Sequence, residues 1–227
     1  RGGIKTLFQC DISKEMINRS VGYRIVADEE SLPFRNDSFD LILSCLSLHW
    51  VNDLPGTLLQ LRHALKPDGL LLVALYGGQT LNELRQSLLL AEDEILKGAS
   101  PRVSPFIDIQ EGGALLQRTG FAMPVLDTNI FTVFYESPFR LMHDIRGMGE
   151  QMPLYSRQKT FTRREIFFRG AEFYQKNFRN AEGFIPATFE IITLMAWAPA
   201  ANQPKPLKPG TGEIKLSEAL NSDRYSG

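Results

Sequence analysis

The sequence predicts an α/β fold built on a doubly wound, mostly parallel sheet, and three observations carry that reading. Short, nearly unbroken apolar runs recur at Thr6-Leu-Phe-Gln-Cys10, Arg24-Ile-Val-Ala27, Phe39 to Ser44 and Leu70 to Leu75, as expected of strands covered on both faces. Segments with helical spacing separate them, and strand-helix alternation gives a layered α/β sheet. Acidic or polar residues (Asp11, Asp28 and Ser44) close three of the runs, and ligands of such sheets sit at the carboxyl ends of the strands.

After the first strand, Ser13 to Asn18 predicts a helix with Met16 and Ile17 inward. Leu54, Leu58, Leu61 and Leu65 fall on one face of a helix begun by Asp53 with Pro55 in its first turn, and Pro67-Asp68-Gly69 turns into the next strand. Thr80-Leu-Asn-Glu83 reads as a capping box for a helix whose Leu81, Leu84 and Leu88 repeat every three to four residues. A loop from Ser100 to Pro105 leads to a helix from Asp108 to Arg118, stopped by Gly120. Val125 to Tyr135 and Phe189 to Trp197 read as two antiparallel strands completing one edge. Between them, helices start at Ser137-Pro138 and at a second capping box, Thr162-Arg-Arg-Glu165; they carry Arg140, Arg146, Arg157, Arg163, Arg164, Arg169 and Arg179 and read as an inserted lid. The expected division is a core over 1–136, a helical lid over 137–188, an edge strand over 189–198 and a flexible tail rich in Pro, Lys and Gly over 199–227.

With 227 residues, 43% hydrophobic content and a formal net charge of -1, the chain can bury a substantial core. Neither a basic surface nor an acidic tail announces nucleic acid as a partner. Cys10 and Cys45 lie in apolar stretches and are expected as two buried thiols rather than a disulfide. No run approaches the roughly 18 apolar residues that span a bilayer. The opening Arg1-Gly-Gly-Ile, with no glycine-rich turn before Asp11, reads as a sheet lacking its first strand and glycine loop.

Asp11 can accept from both hydroxyls of a ribose, or simply cap the following helix. Asp28 can accept from an adenine amino group beside an apolar wall of Leu32-Pro33-Phe34, or face water with Glu29 and Glu30. His49 and Trp50 follow the strand ending at Ser44, where an acceptor would meet a transferred group. There His49 can take a proton and Trp50 can wall a cation, or both can pack on the helix from Leu54. The remaining histidines, His63 and His143, form no pattern with His49 suited to a two-His-one-carboxylate iron centre, and no metal site is expected.

The order Asp11, Ala27-Asp28-Glu-Glu-Ser-Leu-Pro-Phe34, Phe39-Asp40-Leu-Ile-Leu, His49-Trp50 and Lys66-Pro-Asp-Gly69 resembles the S-adenosylmethionine-dependent methyltransferase fold. Leu46 to Pro55, Tyr76 to Leu84, Gly147-Met-Gly149 and Pro186-Ala-Thr-Phe189 are similar to the mitochondrial complex I assembly factors of that fold, described as arginine hydroxylases. The resemblance implies a class I methyltransferase-like sheet with a helical lid and S-adenosylmethionine as cofactor. It assigns Asp11 to the ribose, Asp28 and Glu29 to the adenine edge and Ser44 to the loop over the methionine portion, and adds Ile12 and Ala27 to the cofactor-binding set and His49 and Trp50 as catalytic candidates. It also implies a respiratory complex I subunit as protein substrate and a peripheral place on the matrix side of the mitochondrial inner membrane. Two alternatives stand beside it: a methyltransferase acting on malonyl-acyl carrier protein or a small molecule, and a non-enzymatic assembly chaperone. The family's strand and glycine loop for the methionine carboxylate have no counterpart here.

Overall fold

The computed structural model describes residues 3–98, 100, 102–150, 161–204 and 210. Along them run β1 (Phe8–Asp11), α1 (Lys14–Arg19), β2 (Tyr23–Val26), β3 (Phe39–Cys45), a 3-10 turn (Leu48–Trp50), α2 (Leu54–Ala64), β4 (Leu65–Tyr76), α3 (Asn82–Leu96), α4 (Ile109–Arg118), β5 (Ala122–Tyr135), α5 (Pro138–Gly147), α6 (Arg164–Phe178) and β6 (Ile185–Trp197).

Local chemistry sets several helix starts. Ser13, Asp53, Asp108 and Ser137 cap α1, α2, α4 and α5 by accepting the N–H of Met16, Gly56, Glu111 and Arg140, each removing one unpaired donor from the first turn. Asp108 and Glu111 form a full capping box. The two boxes expected from the sequence, at Thr80 and Thr162, do not form. Leu81 precedes α3 in a left-handed conformation without a side-chain cap, because Thr80 exchanges hydrogen bonds with the backbone of Glu190 and Glu83 accepts from Thr188. Arg163 precedes α6, and the Thr162 hydroxyl accepts instead from Arg102. Long-range partners outcompete the local cap in both cases.

The strands form two sheets. One has the order β3-β4-β6-β5, with β3 parallel to β4 and the two later junctions antiparallel; the other pairs β1 with β2 in parallel. Residues 189–198, expected as an edge strand, belong to β6, which starts earlier, at Ile185, and runs between β4 and β5; β5 is the edge. The β1-β2 pair meets the larger sheet through the ring of Phe8, edge-on to Phe39 at 5.9 Å. Polar tethers reinforce it: Glu30 accepts the backbone N–H of Asn52 and Asp53, while Gln60 of α2 bonds both Leu32 N–H and Glu30 carbonyl. Glu30 therefore serves a structural bond rather than the water-facing acidic run expected of it.

β4 and β6 alternate buried and half-buried residues along their length, but β1, β2 and β3 are not covered on both faces as expected. Among the described residues no strand pairs with the second edge of β1 or of β3, and Tyr23 and Val26 of β2 and Leu43 of β3 are exposed. Cys45 is likewise exposed and Cys10 only half-buried, against the expectation of two buried thiols. In α1, Ile17 is buried as expected but Met16 faces solvent.

Two apolar clusters hold the body together. Leu58 and Leu61 of α2, Leu116 of α4, and Leu71, Val73, Leu75, Ile192 and Leu194 of the sheet form the first. Leu81, Leu84 and Leu88 join Leu141 of α5, Tyr174 of α6 and Ile185 and Ala187 of β6 in the second. Residues 137–188, read as a lid, thus share their core with α3 and β6. At Gly170, a Cβ would stand 2.8 Å from Leu88, so the glycine permits the close approach of α6 to α3. Arg157 and the tail at 205–209 and 211–227 lie outside the described residues. Among the described residues no helix is long and apolar enough to cross a membrane.

Leu58 is fully buried while Ile130 is 60% exposed. Denaturant unfolding is expected to show Leu58→Ala losing about 2–5 kcal/mol and Ile130→Ala changing stability by less than about 0.5 kcal/mol.

Candidate functional site

Two groups of residues gather at the carboxyl ends of the parallel strands. The first stands at the tips of β1 and β2. Asp11 is paired with Val26, and Ala27 N–H donates to the Asp11 carbonyl, so Asp11 and the loop Ala27-Asp28-Glu29 share one end of this sheet. Asp11 Oδ1 accepts from Ser13 N–H and Asp28 Oδ1 from Glu30 N–H; the other oxygen of each carries no hydrogen bond among the described residues. Burial raises the Glu29 carboxyl above its usual range, and the charges of Asp11 and Asp28 add to the rise. Three carboxylates therefore crowd one edge, and none forms an ion pair among the described residues. Ile12 is exposed and Ala27 half-buried there. Leu32 and Phe34 turn inward, Leu32 onto the first cluster and Phe34 edge-on to Phe39 at 4.9 Å, rather than standing as a free wall.

The second group lies beyond β3 and β4. Ser44 exchanges a 2.9 Å hydroxyl bond with Ser47, which shapes the chain into the turn carrying His49 and Trp50. His49, only 5% exposed in its side chain, meets Glu150 through Nε2 at 3.0 Å. Its ring also packs against Tyr76 at 4.7 Å, Trp50 at 5.7 Å and Phe106 at 5.8 Å. His49 is thus neither a mere packing residue on α2 nor close to the other histidines: His63 and His143 are exposed on α2 and α5. Among the described residues no cluster of His, Cys, Asp or Glu is suited to a metal ion.

His49, Tyr76 and Phe106 line two cavities, one of about 410 Å³ towards α2 and α4, and one of about 80 Å³ towards α3 and α5. Burial raises the Tyr76 phenol above its usual range, and Glu150 adds to the rise. Tyr76 is placed by the turn after it. Gly77 N–H donates to the Glu190 carbonyl, Gln79 N–H and the Thr128 hydroxyl donate to the Glu190 carboxylate, and a Cβ on Gly77 would stand 2.6 Å from that carboxylate. Phe106 is placed by a buried pair, in which Arg102 meets Glu92 at 2.6 Å and Ser100 adds its N–H and hydroxyl. Of the arginines on the helices read as a lid, Arg140 pairs with Asp144 and Arg169 with Glu94 and Glu172.

Sequence reasoning missed Tyr76, Phe106 and Glu150. Tyr76 ends an apolar strand and could have been found there. Glu150 lies 101 residues from its partner His49, and only the helix-stop signal of Gly149 marks its neighbourhood.

This fold is the class I methyltransferase type, and a family model described as a methyltransferase domain matches residues 1–73. The YcgJ protein of Bacillus subtilis shares the fold, with a TM-score of 0.56 at 16% identity over 87% of this chain and 84% of its own. Arginine-hydroxylase NDUFAF5, mitochondrial, from Mus musculus is 42% identical over 93% of this chain, and the Danio rerio protein of that name is 40% identical over 95% of it. The chain belongs to the NDUFAF5 arginine-hydroxylase family. It spans 63% of the mouse relative's length and 68% of the zebrafish relative's. A malonyl-[acyl-carrier protein] O-methyltransferase of Xylella fastidiosa is 38% identical over 78% of this chain and 58% of its own length.

Although burial raises the Glu92 carboxyl, Arg102 and Ser100 together hold it below its ordinary value of 4.5. A depressed folded-state value means that its stabilisation is present above 4.5 and lost as pH falls through the folded value. Near neutral pH, Glu92→Gln is expected to lose about 3 kcal/mol. The gap from wild type should narrow in unfolding curves as pH drops below 4.5; a constant gap refutes the assignment.

Proposed function

We propose that this protein is an S-adenosylmethionine-binding, methyltransferase-fold enzyme that hydroxylates an arginine in a subunit of mitochondrial respiratory complex I. In this reading it acts as an assembly factor, peripheral on the matrix side of the inner membrane. The observation that carries it is the 40–42% identity to mitochondrial arginine-hydroxylases over 93–95% of the chain. Hydroxylation inserts one oxygen atom of dioxygen into a C–H bond of the substrate, giving C–OH. The other oxygen leaves as water, so the reaction also needs an external donor of two electrons.

The carboxylates at the tips of β1 and β2 suit the nucleoside half of S-adenosylmethionine. Ribose hydroxyls and an adenine amino group are donors, and Asp11, Asp28 and Glu29 are acceptors without cationic partners, which supports their assignment with Ile12 and Ala27 to the cofactor. When bound, the cofactor supplies an activated methyl group on a sulfonium. Ser44 holds the turn beside it through Ser47, and His49 and Trp50 face the acceptor side. The acidic, aromatic character of that side favours a cationic acceptor. A malonyl carboxylate would call for a cation beside His49; Arg102, which lines the smaller cavity, is engaged by Glu92, and Arg118 lines the larger one.

Calorimetry with S-adenosylmethionine is expected to show Asp11→Ala and Asp28→Ala each weakening binding about tenfold or more; unchanged affinity in both rejects the cofactor assignment. Mass spectrometry of complex I subunits from cells lacking the protein should show an arginine that has lost one oxygen. A lost methyl group instead would establish methyl transfer, and failed assembly with neither mark changed would establish a scaffold.

A further inference from the structure

We infer that the His49–Glu150 pair is the recognition element for the guanidinium of the acceptor, with Glu150 supplying the countercharge and His49 holding that carboxylate in place. This rests on the reading of the protein as an arginine-modifying enzyme. Four observations on the molecule converge on it.

Glu150 is aimed by the end of α5. Gly149 takes φ +83°, its N–H donates to the Arg146 carbonyl, and the N–H of Glu150 donates to the Ile145 carbonyl. These two bonds are the glycine-terminated helix stop in which a left-handed residue reverses the chain. A side chain at Gly149 would be strained in this conformation. The turn thus directs a carboxylate, 21% exposed, onto His49.

That carboxylate is held by a group that can yield. Its hydrogen bond with His49 Nε2 is its side-chain contact among the described residues, whereas the carboxylates of Glu83, Glu92 and Glu190 are held by backbone, hydroxyl or guanidinium donors. Glu150 keeps acceptor capacity for an incoming cation.

His49 Nδ1 is buried without a hydrogen-bond partner among the described residues. In the tautomer with Nε2–H donating to Glu150, the imidazole carries no charge to offset that of the carboxylate. An anionic acceptor of this kind suits a planar group with several N–H donors on one positive charge.

Lastly, the walls are aromatic. Tyr76, Phe106 and Trp50 surround His49 at the junction of the two cavities, and aromatic faces attract a guanidinium. A carboxylate acceptor would instead meet Glu150 as a like charge.

The test uses ethylguanidinium as probe, with N-ethylurea as its neutral isostere and hydrogen malonate as the anionic control. Ring resonances of His49 are followed by NMR, and the exposed His63 and His143 serve as internal references. Ethylguanidinium is expected to shift the His49 resonances saturably while N-ethylurea and malonate do not. Glu150→Gln should weaken the response about tenfold or more, and Glu150→Asp, which keeps the charge, should retain most of it. An equal response to N-ethylurea, a preference for malonate, or unchanged affinity in Glu150→Gln overturns the inference.

Failure of the wider reading is distinguishable. If the probe discriminates as expected but no arginine is modified in the complex I subunit, the recognition site stands and the activity does not. If arginine is modified by Glu150→Gln with unchanged KM, the activity stands and the recognition site does not.

Discussion

The antiparallel seam between β4 and β6, in register from Leu70 opposite Trp197 to Tyr76 opposite Ile191, is the constraint on which the body and the site both depend. Side chains of a strand alternate between its faces, and β6 uses both. Ile192, Leu194 and Ala196 close the cluster beneath α2 and α4, while Ile185 and Ala187 close the one beneath α3, α5 and α6. Tyr76 stands where the seam ends, and the turn beyond it is fixed by Glu190, a residue of the same seam. A slip of register by one residue would exchange the two clusters and remove Tyr76 from His49.

Legibility followed the range of the interactions. The caps at Asp53, Asp108 and Ser137 could be read because donor and acceptor lie three residues apart. The boxes at Thr80 and Thr162 misled because Glu190 and Arg102, far away in the chain, offered those hydroxyls better partners. Strand existence was visible in the apolar runs, but strand order was not. Nothing local in residues 185–197 tells that they lie between β4 and β5, and nothing in the run ending at Cys45 tells that one edge of β3 has no partner among the described residues. On the site side, Asp11, Asp28 and His49 could be named as candidates because strand ends are places of known chemical use. The groups around His49 come from four separate segments, and proximity among them is a product of packing alone.

The polar chemistry of the molecule divides into saturated and unsaturated acids. Glu83, Glu92 and Glu190 are buried and fully bonded, and each pins a loop or turn to a helix or strand. These are structural anions, whose removal leaves donors unmatched in a poorly solvated place. Asp11, Asp28 and Glu29, and Glu150 beside them in kind though not in place, keep lone pairs unspent. Burial and mutual repulsion at Glu29 mark the former group as a site where negative charge is held at a cost. The contrast explains how a chain of nearly zero net charge can still gather three unpaired carboxylates at the tips of β1 and β2.

The attachment of the β1-β2 ribbon has a mechanical consequence. Among the described residues it and the loop after it join the body by the aromatic edge contacts of Phe8 and Phe34 on Phe39, by Leu32 and by the side chains of Glu30 and Gln60, without a continuous ladder to β3. Such a unit can swing or melt as a small cooperative panel while the four-stranded sheet stays intact, because the bonds that must break are few and partly hydrated. Its amide protons should then exchange with solvent through that partial opening, well ahead of those in β4 and β6. The acids at the tips of β1 and β2 ride on the panel and the histidine on the frame, so whatever bridges the two would also brace the hinge between them.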